Sequence, residues 1–407
     1  MRIRDREGSP LPPSVIGDQR YAFIQRNAAV LGPSFPFARH GQCGAELSDK
    51  LPHLAKVVDD IAIIRSMHTD QFNHAPGQIF FSTGSAQPGR PCLGSWLSYG
   101  LGAETDNLPA FVVLSTGGGI SGGSALWSAG FMPGKHAGVR FRNTGDPILN
   151  VSSPSGVDVR LQRESLDLIE ALNRRRLEVE NDPEIATRIE NYEMAFRLQS
   201  SAPELMDLKS ERPETLQLYG ADPAKPSYAR ACLLARRMIE RGVRCVNIYH
   251  SGWDAHSNVA GNITNNTRAT DQASAALVQD LKQRGLLDST VVHWGGEIGR
   301  LPVVQSRSKP GRDHNGQGFS TWLAGGGFKP GTIYGETDEV GHRAVVNKVT
   351  ANDYQATLLH LFGLDHNGLV YHQGARRQKL TNDRPARLCL LYTSDAADDT
   401  PCVDLGG

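Results

Sequence analysis

From residue 243 onward, short apolar runs alternate with amphipathic stretches, and this alternation restricts the fold more than any other feature of the chain. Residues 243–249, 290–294 and 319–324 are apolar at most positions. They are also short, as expected of strands covered on both faces. Between them, residues 271–284 carry helical spacing with Asp271 near the start. A last helix is expected over 354–362, with Asp353 as its cap and Gly363 as its stop. Strands alternating with helices predict an α/β fold around a mainly parallel sheet with helices on both faces. In such a sheet, ligands bind beyond the carboxyl ends of the strands.

The upstream half is less regular. Residues 1–45 are rich in proline and read as loop. Ser48 is a candidate cap for a helix over 51–59, followed by a buried strand at 61–64. A loop at 73–84 leads into a helix, a second helix spans 93–101, and a strand spans 110–114. The glycine-rich stretch 117–123 lacks both the Lys-Ser/Thr ending and the GxGxxG spacing of phosphate loops, so it reads as a surface loop. Residues 160–240 are helical with charged outer faces, an insert or cover layer given no catalytic role.

Three glycine-rich loops after strands carry metal-ligand residue types. Gly252-Trp-Asp-Ala-His256 offers Asp254 and His256; Gly295-Gly-Glu offers Glu297; Gly311-Arg-Asp-His-Asn315 offers Asp313 and His314. Carboxylate and imidazole groups are the ligands of hydrolytic divalent metals. Each also has a plainer reading. Glu297 can pair with Arg300, and Asp313 can cap the turn at Gly311 or pair with Arg312.

Bulk properties narrow the field. Lys+Arg and Asp+Glu both number 43, so no charge excess favours nucleic acid. No run approaches the ~20 apolar residues of a membrane span. Six cysteines stand apart from one another, without a CxxC pair. Residues 1–7 are not followed by the apolar stretch of a signal peptide.

Four stretches together resemble a known family: Ser66-Met-His-Thr-Asp-Gln-Phe-Asn-His-Ala-Pro76 running to Thr83-Gly84, the Gly252–His256 motif, Gly295-Gly-Glu-Ile-Gly-Arg300, and Gly311-Arg-Asp-His-Asn315 with Trp322-Leu-Ala-Gly-Gly-Gly327. They resemble a large bacterial family of sulfatase-like proteins of unknown function, bearing Tat export signals, within the alkaline phosphatase superfamily. The resemblance covers roughly residues 15–385. It implies an alkaline-phosphatase-like doubly wound sheet with divalent metal ions (zinc, manganese or calcium) at the strand ends. The ligand set carried over is Asp254, His256, Glu297 and His314, with Asp313 as a further candidate.

Sulfatase-type relatives place a Cys or Ser nine residues before the Thr of the Thr-Gly pair. Here His74 stands there. It can serve as metal ligand or substrate contact, form a covalent intermediate, or mark lost chemistry; the first role is favoured. Relatives also begin with a signal peptide and a first strand ending in a metal-binding Asp. That strand is expected to be missing, with weak metal binding or poor folding as the consequence. Residues 1–387 are read as one domain, and 388–407 as a non-native tail resembling translated adapter. The implied activity is metal-dependent hydrolysis of a small-molecule or polysaccharide phosphate or sulfate ester, by a protein exported to the periplasm in full-length form. The alternative is a non-catalytic exported scaffold that keeps the fold.

Overall fold

The computed structural model describes residues 3–392 apart from 18, 20, 22, 144–146, 149–151, 154, 307, 383 and 390. The strands that position the site are β1 (Ile61–Met67), β2 (Phe111–Thr116), β3 (Val139–Arg140), β4 (Cys245–His250), β5 (Val292–Trp294), β6 (Gly299–Arg300), β7 (His314–Asn315), β8 (Phe319–Ala324) and β9 (Ile333–Tyr334). The helices packed around them are α1 (His74–Thr83), α2 (Leu93–Leu101), α3 (Val159–Glu180), α4 (Pro183–Met206), α5 (Pro213–Tyr219), α6 (Tyr228–Glu240), α7 (Val259–Gln283) and α8 (Ala351–Leu361). Among the described residues, no helix is long and apolar enough to cross a membrane.

The chain is mixed α/β, with helices on both faces of its sheets. β2 lies between β3 and β4 and runs parallel to both. Its alternate residues are sorted to opposite faces, as the pleat requires. Val112 and Leu114 pack with Leu233, Leu234 and Met238 of α6. Phe111 and Val113 face the other way, toward Cys92. The second sheet has the order β9-β1-β8-β5. Trp322 and Ala324 pack under α7 with Val278 and Leu281, while Phe319 and Leu323 face Tyr354 and Leu358 of α8.

The expectation of a mainly parallel sheet needs correction in this second sheet. β8 is antiparallel to both β1 and β5. A parallel return needs a crossover, usually helical. Among the described residues of 295–318, between β5 and β8, there are the β6–β7 pair and loops but no helix. The chain therefore turns back and pairs antiparallel.

Local capping departs from the sequence reading in three places. α7 starts at Val259, well before Asp271. Asp271 is buried inside that helix and accepts the backbone N–H groups of His53 and Leu54 at 2.8 and 2.9 Å. It caps the 3₁₀ turn Leu54–Asp60, which replaces the expected helix over 51–59 and is broken at Val57. Thr350 caps α8, with Asp353 as the third-residue partner of a capping box. The helical stretch 160–240 also divides. No residue of α3 is buried, whereas ten of the thirteen residues of α6 are, so α6 is a core wall rather than a cover.

The tail expected from residue 388 is not separate at its start. Cys389 and Leu391 are buried with Tyr354 and Leu358, Cys389 N–H donates to Thr357 Oγ1 at 2.9 Å, and Lys329 N–H donates to the Leu391 carbonyl at 2.7 Å. Residues 393–407, including Cys402, lie outside the described residues. Cys43, Cys92, Cys232, Cys245 and Cys389 are all free thiols.

Among the described residues, the two sheets are not joined. β4 and β5 are each the edge of their own sheet, and consecutive residues of both line one cavity of about 1050 Å³. α6 and α7 wall one side of it, α1, α2 and α8 the other, and it reaches His74 and Asp254 at one end. Cys245 and Ser251 donate their N–H groups to Ala110 and Thr116 of the β2 segment at 2.9 and 3.2 Å. By alternation, the N–H groups of Val246, Ile248 and His250 point into the cavity. In native-state hydrogen exchange these three amides should therefore exchange about tenfold faster, or more, than those of Cys245, Asn247 and Tyr249. Equal protection along β4 would show that the edge is closed in solution.

His342 gives a second readout of packing. Its side chain is fully buried, Nε2 lies 2.9 Å from the Tyr21 hydroxyl, and Nδ1 has no partner. Burial pushes its pKa down to about 4 from the ordinary 6.5. The unfolded chain thus takes up a proton between pH 6.5 and 4 that the folded chain refuses, and stability falls as pH drops through that window. The loss from this group alone approaches about 3 kcal/mol below pH 4. Urea midpoints measured from pH 7 to 4 should fall less steeply in His342→Gln than in the parent protein.

Candidate metal centre

Asp254 lies in the loop after β4. Gly252 turns that loop with φ +108°, and its carbonyl is held by Asn262 and Asn266 at the start of α7. The loop is laced to the segment before β7: Arg312 N–H donates to the Ala255 carbonyl at 3.0 Å, and Val259 N–H to the Pro310 carbonyl at 2.8 Å. Gly311 sits so close that a Cβ there would stand 2.0 Å from the His256 carbonyl oxygen. Only glycine permits that approach. β6 pairs antiparallel with β7, setting Arg300 opposite His314. His74 is the first residue of α1, which occupies the stretch read as a loop leading into a helix and ends with Gly84 in the left-handed region.

These elements bring four side chains to one point. Asp254 Oδ1 is 3.2 Å from His74 Nε2, 2.9 Å from His256 Nε2 and 3.3 Å from His314 Nε2. His256 Nε2 and His314 Nε2 are 3.1 Å apart. Ligand atoms of His74, Asp254 and His314 all lie within 4.8 Å of one another. Arg300 completes the cluster, its guanidinium on Asp254 Oδ1 and 3.5 Å from His74 Nε2.

Each imidazole is turned by a partner behind it. His314 Nδ1 is 2.7 Å from the Phe72 carbonyl, His256 Nδ1 is 2.7 Å from Gln305 Oε1, and His74 Nδ1 is 2.6 Å from Glu297 Oε1. All three partners are acceptors, so each Nδ1 carries the proton and each Nε2 lone pair faces the centre. Lone pairs and a carboxylate oxygen grouped within hydrogen-bond distance form a donor set that a cation can share. Imidazoles oriented through their outer nitrogen are the usual form of histidine ligands. The residues present therefore fit a divalent metal ion.

Electrostatics at Asp254 and His314 agree with that donor set. Burial pushes the Asp254 carboxyl up, but hydrogen bonds and charge from Arg300 and His74 outweigh it and hold it well below the usual carboxylate range. Burial, with the positive charges nearby, lowers His314 and favours its neutral, ligating form. The hydrogen bond to Glu297 raises His74, with burial opposing.

Two residues read from the sequence as ligands stand elsewhere. Glu297 is behind His74, where Oε1 accepts from His74 and from Gln78 Nε2 at 3.2 Å. Asp313 is fully buried; its Oδ1 accepts the His314 N–H at 2.7 Å and its Oδ2 the Phe23 N–H at 2.9 Å. It shapes the loop that presents His314. Arg300 pairs with Asp254 and not with Glu297. Gln78 was not singled out in the sequence, although it lies one helical turn after His74. Its Oε1 also accepts the Gly122 N–H at 2.8 Å, and Gly118 N–H donates to Ser251 Oγ. The glycine-rich stretch 117–123 is thus tied down beside the centre, where a free surface loop was expected.

A family model described as "Protein of unknown function (DUF1501)" matches residues 4–389. The chain belongs to the DUF1501 family. Among solved structures, this DUF1501 protein is similar to the phosphonate monoester hydrolase SpPMH from Silicibacter pomeroyi. The identity is 12%, the match covers 78% of this chain and 70% of that one, and the TM-score is 0.32. That likeness is too slight to transfer the role of any residue. No curated protein sequence matches the chain.

The geometry separates ligands from supports experimentally. In calorimetric zinc titrations, His314→Ala should abolish the site. Glu297→Gln should weaken it by only about 10–100-fold, the usual cost of losing a residue that orients a ligand. Equal losses in the two variants would make Glu297 a direct ligand.

Proposed function

We propose that this protein is a metal-dependent hydrolase of phosphate or sulfate esters, with His74, Asp254 and His314 as ligands and His256 beside them. The observation that carries this reading is the convergence of three Nε2 lone pairs on Asp254 Oδ1 next to the Arg300 guanidinium. Three ligands leave a coordination position open, as catalytic sites require. A bound divalent cation would supply Lewis-acid charge and activate water at neutral pH.

The chain's own residues supply the rest. Arg300 stands at the cavity wall, where a planar guanidinium can bind the anionic oxygens of a tetrahedral ester. His256, partly exposed and held by Gln305, takes the proton of the attacking water. Glu297 keeps His74 in the ligating tautomer. In this reading His74 is a ligand rather than a nucleophile. The adjoining cavity, lined by Phe81, Trp253 and Trp294 among others, receives the organic part of the ester.

Aryl phosphate and aryl sulfate turnover should appear with zinc- or manganese-loaded protein and vanish with chelator. His74→Ala and Asp254→Asn should each lower kcat at least about 100-fold, whereas Arg300→Ala should act mainly through KM. Tight metal binding without turnover on either ester would overturn the hydrolase reading and leave a scaffold that retains the centre.

A further inference from the structure

α3 is a 22-residue helix with no buried residue, yet it carries six large apolar side chains exposed to solvent. One face packs on α4 through half-buried positions that include Leu166, Glu170, Asn173 and Leu177. The opposite face shows Leu161, Leu168, Leu172 and Val179, exposed by 47, 63, 58 and 86%. At about 100° per residue these four fall within an arc of roughly 40°, turned away from α4. Such a straight apolar stripe is the seam of a helix pair rather than the face of an isolated surface helix.

The stripe has a symmetry that names its partner. Its spacing of seven, four and seven residues reads the same from either end, with its centre at residue 170. We infer that α3 pairs antiparallel with α3 of a second copy of this chain across a twofold axis near residue 170. Leu161 of one copy then lies against Val179 of the other, and Leu168 against Leu172. A twofold contact must be self-complementary in this way.

Charge supports the same register. One flank of the stripe carries Arg160, Glu164, Arg175 and Glu178. The proposed axis sets Glu164 beside Arg175 of the other copy, and Arg160 beside Glu178, so each opposite-sign pair forms twice. Among the described residues, none of these four takes part in an ion pair within its own chain. The other arginines of α3 are already matched: Arg163 to Asp167 and Glu193, Arg174 to Glu170, and Arg176 to Glu180. The unmatched charges are those beside the apolar stripe. No residue of α3 lines the cavity, so pairing leaves the metal centre accessible.

Sedimentation equilibrium on the full chain should show a concentration-dependent monomer–dimer equilibrium. Leu168→Glu and Leu172→Glu should each be monomeric throughout, with an unchanged zinc titration and the melting of the parent at concentrations where it is monomeric, because neither side chain packs within the monomer. Arg175→Glu and Glu164→Arg should each weaken the dimer about tenfold or more, by placing like charges together. The double variant Glu164→Arg/Arg175→Glu, and an equimolar mixture of the two single variants, should both restore it. Only an antiparallel twofold pairing predicts rescue by mixing. A parent chain that stays monomeric, a dimer indifferent to Leu172→Glu, or failure of both rescues would overturn the proposal.

Discussion

One carboxylate oxygen organises the centre. Asp254 Oδ1 meets three imidazole nitrogens and a guanidinium, and each of these comes from a different part of the chain or from a different turn of the same loop. Although Asp254 stays partly open to solvent, this oxygen can sit among them because every group facing it donates a proton, carries a positive charge or can share a cation with it. The backbone lacing between the Asp254 loop and the Gly311 loop, with Asn262 and Asn266 on the Gly252 carbonyl, holds this arrangement. Remove the carboxylate, and the three imidazole nitrogens and the guanidinium lose the oxygen they share.

The parts of this design visible in the sequence are those with local signatures. The helix at residues 93–101 is delimited by its own apolar run and a glycine, and it is found at Leu93–Leu101. Asp254, His256 and His314 were marked by their place after apolar runs, and His74 by its distance from Thr83-Gly84. What was not legible was the direction each carboxylate faces. Glu297 and Asp313 have the same kind of neighbours as a ligand, glycine and a charged residue, yet one turns a histidine from behind and the other binds backbone N–H groups. That choice is made by contacts with His74 and Phe23, both far away in sequence. The start of α7 was missed for a related reason. The polar stretch Asn262 to Thr270 lacks an apolar period because its asparagines and threonines bond to the Gly252 carbonyl and to their own helix.

The strand directions follow from the same limit. Apolar runs show that residues 290–294 and 319–324 are strands, but direction depends on what the intervening chain can span. A segment of loops and one short strand pair returns the chain beside its start. The resulting edge at β5 faces the edge at β4, and the space between them is where the site meets the interior. Half-exposed apolar residues along β4 have no explanation in the strand's own sequence; they follow from the position of its neighbours.

Gln78 joins two of these regions through a single planar group. Its amide nitrogen donates to Glu297 and its amide oxygen accepts from Gly122. An amide has one donating and one accepting end, so rotating it would break both bonds together. The position of the 117–123 loop and the orientation of the His74 ring are therefore mechanically correlated. Displacing the loop would therefore take from Glu297 one of the two donors that hold it behind the imidazole at the centre.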